Sequence, residues 1–165
     1  MKHALTSFNK PHTDNIFSGK KTIEWRKKPL PLCKHEIYET KNKGGCGKVV
    51  GTMKIVRNIR FSCVDDIPFE ILNMGYVSTD FINEYANGGE IYANVIENAQ
   101  RYDKPKELSV FKTFCKNYYD GNCTECKYFI DGRGYEYDES DCGCNGLKPI
   151  TRPPQSWCYI EDLRN

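Results

Sequence analysis

Long hydrophobic runs are missing from this chain of 165 residues. No apolar stretch approaches the roughly 18–20 residues of a membrane-spanning helix, so no membrane span is expected. The opening Met-Lys-His-Ala-Leu-Thr-Ser-Phe has no apolar core of a secretory signal, so the expected location is the cytosol. Histidine is scarce: only His3, His12 and His35 occur, and HExxH and GxSxG patterns are absent. A Cys–His nucleophilic pair therefore has few ways to form. Gly44-Gly45-Cys46-Gly47-Lys48 falls short of a P-loop, because Asn42 and Val49 stand where Gly and Ser or Thr are needed. It reads as a glycine hairpin. Asn122-Cys123-Thr124 has the form of a glycosylation acceptor, but in the cytosol it has no meaning. No internal repeat is visible.

What is present suits one domain spanning residues 1–165, carrying an insertion. Hydrophobic residues make up 39%, with 8 Phe, 11 Tyr and 2 Trp, enough to build a core. The net charge of +2 hides an asymmetry. Residues 1–60 hold 14 Lys/Arg against 4 Asp/Glu, a balance of +10, and residues 61–165 hold 10 against 18, a balance of −8. A basic face meeting a polyanion is one reading. Two halves whose solvated charges interleave in the fold is the other.

Nine cysteines are many for a chain with no secretion signal, which argues against a disulfide framework. Cys115, Cys123, Cys126, Cys142 and Cys144 follow C-x7-C-x2-C-x15-C-x-C. A C-x2-C element with a second close pair has the spacing of a structural zinc site, and four thiolates complete a tetrahedron with no open position. Four of the five are the expected ligands, and the choice between Cys142 and Cys144 stays open. The alternative is a set of reduced, unligated thiols. Acidic residues surround the cluster, whereas a nucleic-acid zinc finger is basic. Residues 112–148 therefore read as a zinc-stapled insertion before the last strand, or as a surface for a protein partner. Cys158 reads as a small buried hydrophobe.

The expected elements are short. Strands are read at 3–8, 21–28, 37–40, 48–61, 90–97 and 157–160 from β-branched alternation and flanking Gly or Pro. Helices are read from Pro11 to Gly19, from Asp65-Asp66 to Gly75, and from about Asp80 to Ala86. Such a chain favours an α+β fold: a mostly antiparallel barrel with small helices.

Residues 19–26, Gly-Lys-Lys-Thr-Ile-Glu-Trp-Arg, are the most informative stretch. Strand alternation puts Glu24 and Arg26 on one face, and Ile23 and Trp25 on the other, in the core. Lys21 has the core parity, a poor place for an ammonium, unless the regular strand begins after it and the turn at Gly19 re-aims it. Lys21, Glu24 and Arg26 then converge. The plain alternative is an exposed strand face with a weak ion pair.

The pattern Gly-x-Lys-x-x-Glu-x-Arg resembles the signature of the ASCH domain, a member of the PUA-like group found in many bacterial and phage proteins. Lys10-Pro11 with its short helix, and Arg152-Pro-Pro-Gln-Ser-Trp-Cys-Tyr159, also resemble ASCH segments. The resemblance implies a PUA-like barrel with a cleft lined by Lys21, Glu24 and Arg26, and RNA or a nucleotide-like ligand. Lys10, Tyr38, Ser156 and Trp157 complete the candidate ligand contacts. Tyr38, Trp157 and Tyr159 are stacking candidates whose alternative is core packing. Some family members resemble ribonucleases, and a small branch hydrolyses the amide of acetylated cytidine. Were this chain such a hydrolase, Lys21 and Glu24 would be the catalytic pair. That branch, however, carries a threonine nucleophile at the position of Glu24, and its further glutamate has no counterpart here.

Overall fold

A computed structural model describes residues 3–115 and 146–161. Its frame is one six-stranded sheet in the order β2-β5-β4-β3-β1-β8. The strands are β1 (His3–Phe8), β2 (Ile23–Arg26), β3 (Lys34–Glu39), β4 (Lys48–Phe61), β5 (Ile91–Lys106) and β8 (Trp157–Ile160). All neighbours pair antiparallel except β1 with β3. A small second ladder joins β6 (Lys112–Phe114) to β7 (Leu147–Pro149). Three helices cover the sheet: α1 (Lys10–Phe17), α2 (Phe69–Met74) and α3 (Thr79–Ala86).

The α+β class with a mostly antiparallel sheet is as expected, but the barrel does not close. β2 and β8 are the two edges and do not pair with each other. β2 is only four residues long. What crosses the gap between the two edges is the side chain of Arg26.

Most element boundaries follow the sequence signals. Pro11 sits in the first turn of α1, where its missing N–H costs nothing. Gly19 ends that helix region at φ +75°, a backbone conformation open to glycine. Ser78 caps α3, its hydroxyl accepting from the Phe81 N–H. β5 is longer than expected. Its polar continuation to Lys106 shows no alternation, yet it pairs with β4 as far as Val49.

The two charge-biased halves of the sequence interleave. β4, from the basic half, runs along β5, from the acidic half, over most of their length. No helix among the described residues is long and apolar enough to cross a membrane.

The core falls into three clusters. One gathers Phe8, Ile16, Leu30, Ile37 and Met53 beneath α1. A second gathers Ile23, Trp25, Ile67, Ile82 and Ile91 beneath α2 and α3. The third joins Leu5, Tyr38, Phe111, Ile150 and Ile160 near the small ladder. The cleft lies where β2, α1 and α3 approach the end of β1.

Candidate functional site

The sequence around Lys21 resolves its own conflict. β2 begins only at Ile23, so Ile23 and Trp25 enter the core while Lys21 precedes the regular strand. The Lys21 N–H donates to the Asn15 carbonyl, tying the segment to the end of α1. Its ammonium, 2% exposed, donates to the Gly75 carbonyl at 2.7 Å. Gly75 is needed there for its lack of a side chain: a Cβ would fall 2.0 Å from the Trp25 Nε1.

Glu24 binds both cations. One carboxylate oxygen lies 3.2 Å from the Lys21 Nζ, and the other 2.8 Å from the Arg26 Nε. The Arg26 N–H does not point along that second line, so this is a charge contact rather than an aligned hydrogen bond. Arg26 also donates through Nη2 to the Ser7 carbonyl at 3.1 Å, and through Nη1 to the Ser156 hydroxyl at 3.4 Å. The Phe8 ring lies 5.4 Å from its guanidinium carbon. Arg26 thus links edge strand β2 to β1 and to the segment entering β8.

Glu24 is 8% exposed, and burial alone raises a carboxyl pKa. Lys21 and Arg26 outweigh that effect, with His12 adding to them, so its pKa falls below the ordinary value and the carboxyl is ionised at neutral pH. The backbone is fixed as well. Asn94 is fully buried, donates to the Glu24 carbonyl at 2.8 Å and accepts from the Leu30 N–H at 2.7 Å.

The triad opens into a cleft of about 260 Å³. Ser7, Asn9, His12 and Gln155 add polar groups to its lining, and Trp25, Phe81 and Tyr85 add rings. Trp25 Nε1 is a buried donor with no hydrogen-bond partner among the described residues. His12 was not among the expected site residues. Burial lowers its pKa, Glu24 opposes the shift, and Lys21, Lys43 and Arg26 reinforce it. It is therefore neutral at pH 7. Its sequence signal was weak, since a lone His in the first turn of a helix has no distinctive spacing.

Lys21, Glu24 and Arg26 come together. Ser156 joins them through Arg26 and is not itself in the cleft lining, nor are the other expected ligand contacts. Lys10 is half-exposed and sits 3.9 Å from Asp14. Tyr38 is buried in the third core cluster. Trp157 packs against the first cluster and lies edge-on to Tyr159 at 5.1 Å. For these two aromatics, core packing is the reading the geometry favours.

Of the cysteine set, Cys115 is buried at the end of β6, its N–H donating to the Gly146 carbonyl. Cys123, Cys126, Cys142 and Cys144 lie outside the described residues. No group of metal-binding side chains occurs among the described residues. Cys158 is half-buried against the third cluster, and burial raises its thiol pKa.

The sequence matches no family model, and a search of curated proteins finds none significantly similar. Solved structures are informative. The ASCH protein from Zymomonas mobilis is similar at a TM-score of 0.61 and 20% identity, covering 97% of this chain and 88% of that one. A variant of the same protein gives a TM-score of 0.62 at 19% identity, covering 97% and 89%. The signature residues, the open mixed sheet and this near-complete structural overlap agree, and the chain has the fold of ASCH proteins.

Proposed function

We propose that the chain binds RNA or a nucleotide-like molecule in the Lys21–Glu24–Arg26 cleft. The observation that carries this reading is the charge balance of the triad. Two cations share one carboxylate in a mostly buried cluster, which leaves one positive charge facing the cleft. An anionic oxygen is its natural counter-ion, and a guanidinium presents the fork that phosphate fits. The ASCH fold supports the same reading.

The test is direct binding. Nucleoside monophosphates and short labelled RNA should bind the full chain, and Arg26→Met should weaken them roughly 30-fold, about 2 kcal/mol. Affinity for RNA should also rise as the pH is lowered from neutral. His12, whose pKa lies below its usual 6.5, then adds a second positive charge to the cleft. His12→Gln should flatten that pH dependence. Equal affinity for Arg26→Met and the parent protein would overturn this use of the cleft.

His12 also favours a second reading, a hydrolase acting on RNA or a modified nucleoside. Lys21 and Glu24 are committed to one another and to Gly75, so they are poor proton carriers. A neutral imidazole in the same cleft suits general acid–base work at neutral pH. In a hydrolase, His12 would move the proton while Lys21 and Arg26 steady developing negative charge. Turnover of labelled RNA or acetylated cytidine, abolished by His12→Gln, would support this reading.

The cysteine-rich segment is proposed to hold one structural zinc. The burial of Cys115 supports it, as does the way residues 115 and 146 meet by a backbone hydrogen bond at the β6–β7 ladder. One zinc per chain by elemental analysis is expected, falling to background in Cys126→Ser. Metal-free protein as purified, with an unchanged melting curve after chelation, would remove zinc from the account. The acidic surroundings leave a protein contact as the further use of this segment.

A further inference from the structure

Helix α3 carries two aromatic rings at the cleft: Phe81, which the core does not use, and Tyr85, partly buried against the second core cluster. Ile82 and Ala86 are its buried positions and lock it onto the second core cluster. Phe81 and Tyr85, four residues apart, share the neighbouring face. Their rings lie nearly parallel, 3° apart, with centroids 6.0 Å from each other. Both line the same cleft as Arg26 and Glu24. Phe81 remains 47% exposed. A large apolar ring held in order at the mouth of a polar cleft, by a neighbour it stacks on, contributes little to packing.

A cation lies against one of these rings. The Lys27 ammonium lies 5.6 Å from the Tyr85 centroid. On the adjoining turn, the Lys20 ammonium lies 6.0 Å from the ring of Tyr76, itself half-exposed. Rings interleaved with lysines and an arginine match a ligand of flat apolar faces joined by anionic links. The cleft is also small, just below the usual range for drug-sized ligands, so it accommodates about one nucleotide unit.

We propose that Phe81, backed by Tyr85, is a stacking platform for one unpaired base, so that the cleft takes single-stranded nucleic acid with its phosphate on Arg26. This rests on the nucleotide reading of the cleft and narrows it. A base within a duplex has both faces covered by its neighbours and cannot lie on Phe81. Arg26 in the cleft and Lys27 beside Tyr85 favour a polyanion over a protein partner, whose contact with a Phe would not require these cations.

The experiment uses fluorescence anisotropy with the full chain, a labelled ten-nucleotide single-stranded RNA of mixed sequence, and the matching duplex. Ribose 5-phosphate serves as a competitor that has the anion but no base. Phe81→Leu keeps the apolar bulk and loses the π-face, so it should weaken the single strand on the order of tenfold. Its affinity for ribose 5-phosphate should not change. Phe81→Trp should restore single-strand binding, and the added indole should be quenched when RNA binds, relative to the parent protein's own tryptophans. The duplex should bind more weakly than the single strand to every form. Equal binding by Phe81→Leu and the parent protein, or tighter binding of the duplex, overturns the platform while leaving the Arg26 site standing. Single-strand and ribose-phosphate affinities that both ignore Arg26→Met overturn the cleft reading and the platform with it.

Discussion

Glu24→Ala should lower the unfolding free energy by about 3–5 kcal/mol, the usual cost of removing one partner from a buried ion pair. The Lys21 ammonium would be left 2% exposed, with a neutral carbonyl at Gly75 and the Arg26 cation nearby. For a chain of this size the melting temperature should fall on the order of 10 °C. The exposed pairs of the molecule, such as Arg60–Glu90, should show nothing comparable. A second variant separates stability from function. Lys21→Met combined with Glu24→Leu removes both buried charges and should recover most of the stability, because neither ion has to be desolvated. It should still bind nucleotides poorly, since the framework that aims Arg26 is gone. Urea denaturation placing Glu24→Ala within 1 kcal/mol of the parent protein would mean that the triad is solvated in practice.

The second large effect concerns acid. His35 is fully buried, and burial pulls its pKa down to about 4, against an opposing hydrogen bond to Pro31. The Pro31 carbonyl can only accept, so Nε2 carries the proton and donates to it at 2.8 Å. Nδ1 then accepts from the Thr6 hydroxyl at 2.7 Å. A proton on Nδ1 would break that second bond and charge a dry site. The folded pKa lies below the unfolded value of 6.5. The stabilisation is therefore fully present above pH 6.5 and is lost as pH falls towards 4. At about 1.4 kcal/mol per pH unit the total is about 3 kcal/mol. His12, also shifted down, acts in the same direction. Glu36, whose pKa burial raises, acts in the opposite direction over the upper part of that window. The stability difference between the parent protein and His35→Gln cancels these shared terms. It should be largest near pH 7.5 and shrink by pH 4.5. A difference that stays constant across that range would show that His35 keeps its solution pKa and is not dry.

Strand parity alone placed Glu24 beside Arg26 and sent Ile23 and Trp25 inward. The strand read at 21–28 is shorter in the structure, Ile23–Arg26, and the parity conflict at Lys21 disappears with it. These are local facts. Alternation, a proline at a helix start and a glycine at its end act within a few residues, so they can be read along the chain. The open sheet was not legible, because closure depends on whether two strands far apart in sequence meet. Tyr38 shows a finer failure. Alternation sends Ile37 and Tyr38 to opposite faces of β3, but both faces are covered: Ile37 packs in the first cluster and Tyr38 in the third.

The sequence by itself determined the ASCH-like signature, the α+β class, and which residues of the signature are charged partners and which are core. Only the tertiary structure decided what those charges touch. Arg26 meets Ser7 and Ser156, Lys21 meets the carbonyl of Gly75, and His12 and Phe81 join the same cleft from two different helices. Side-chain direction along a strand follows from neighbouring residues, whereas the lining of a cleft depends on long-range packing that no local pattern encodes.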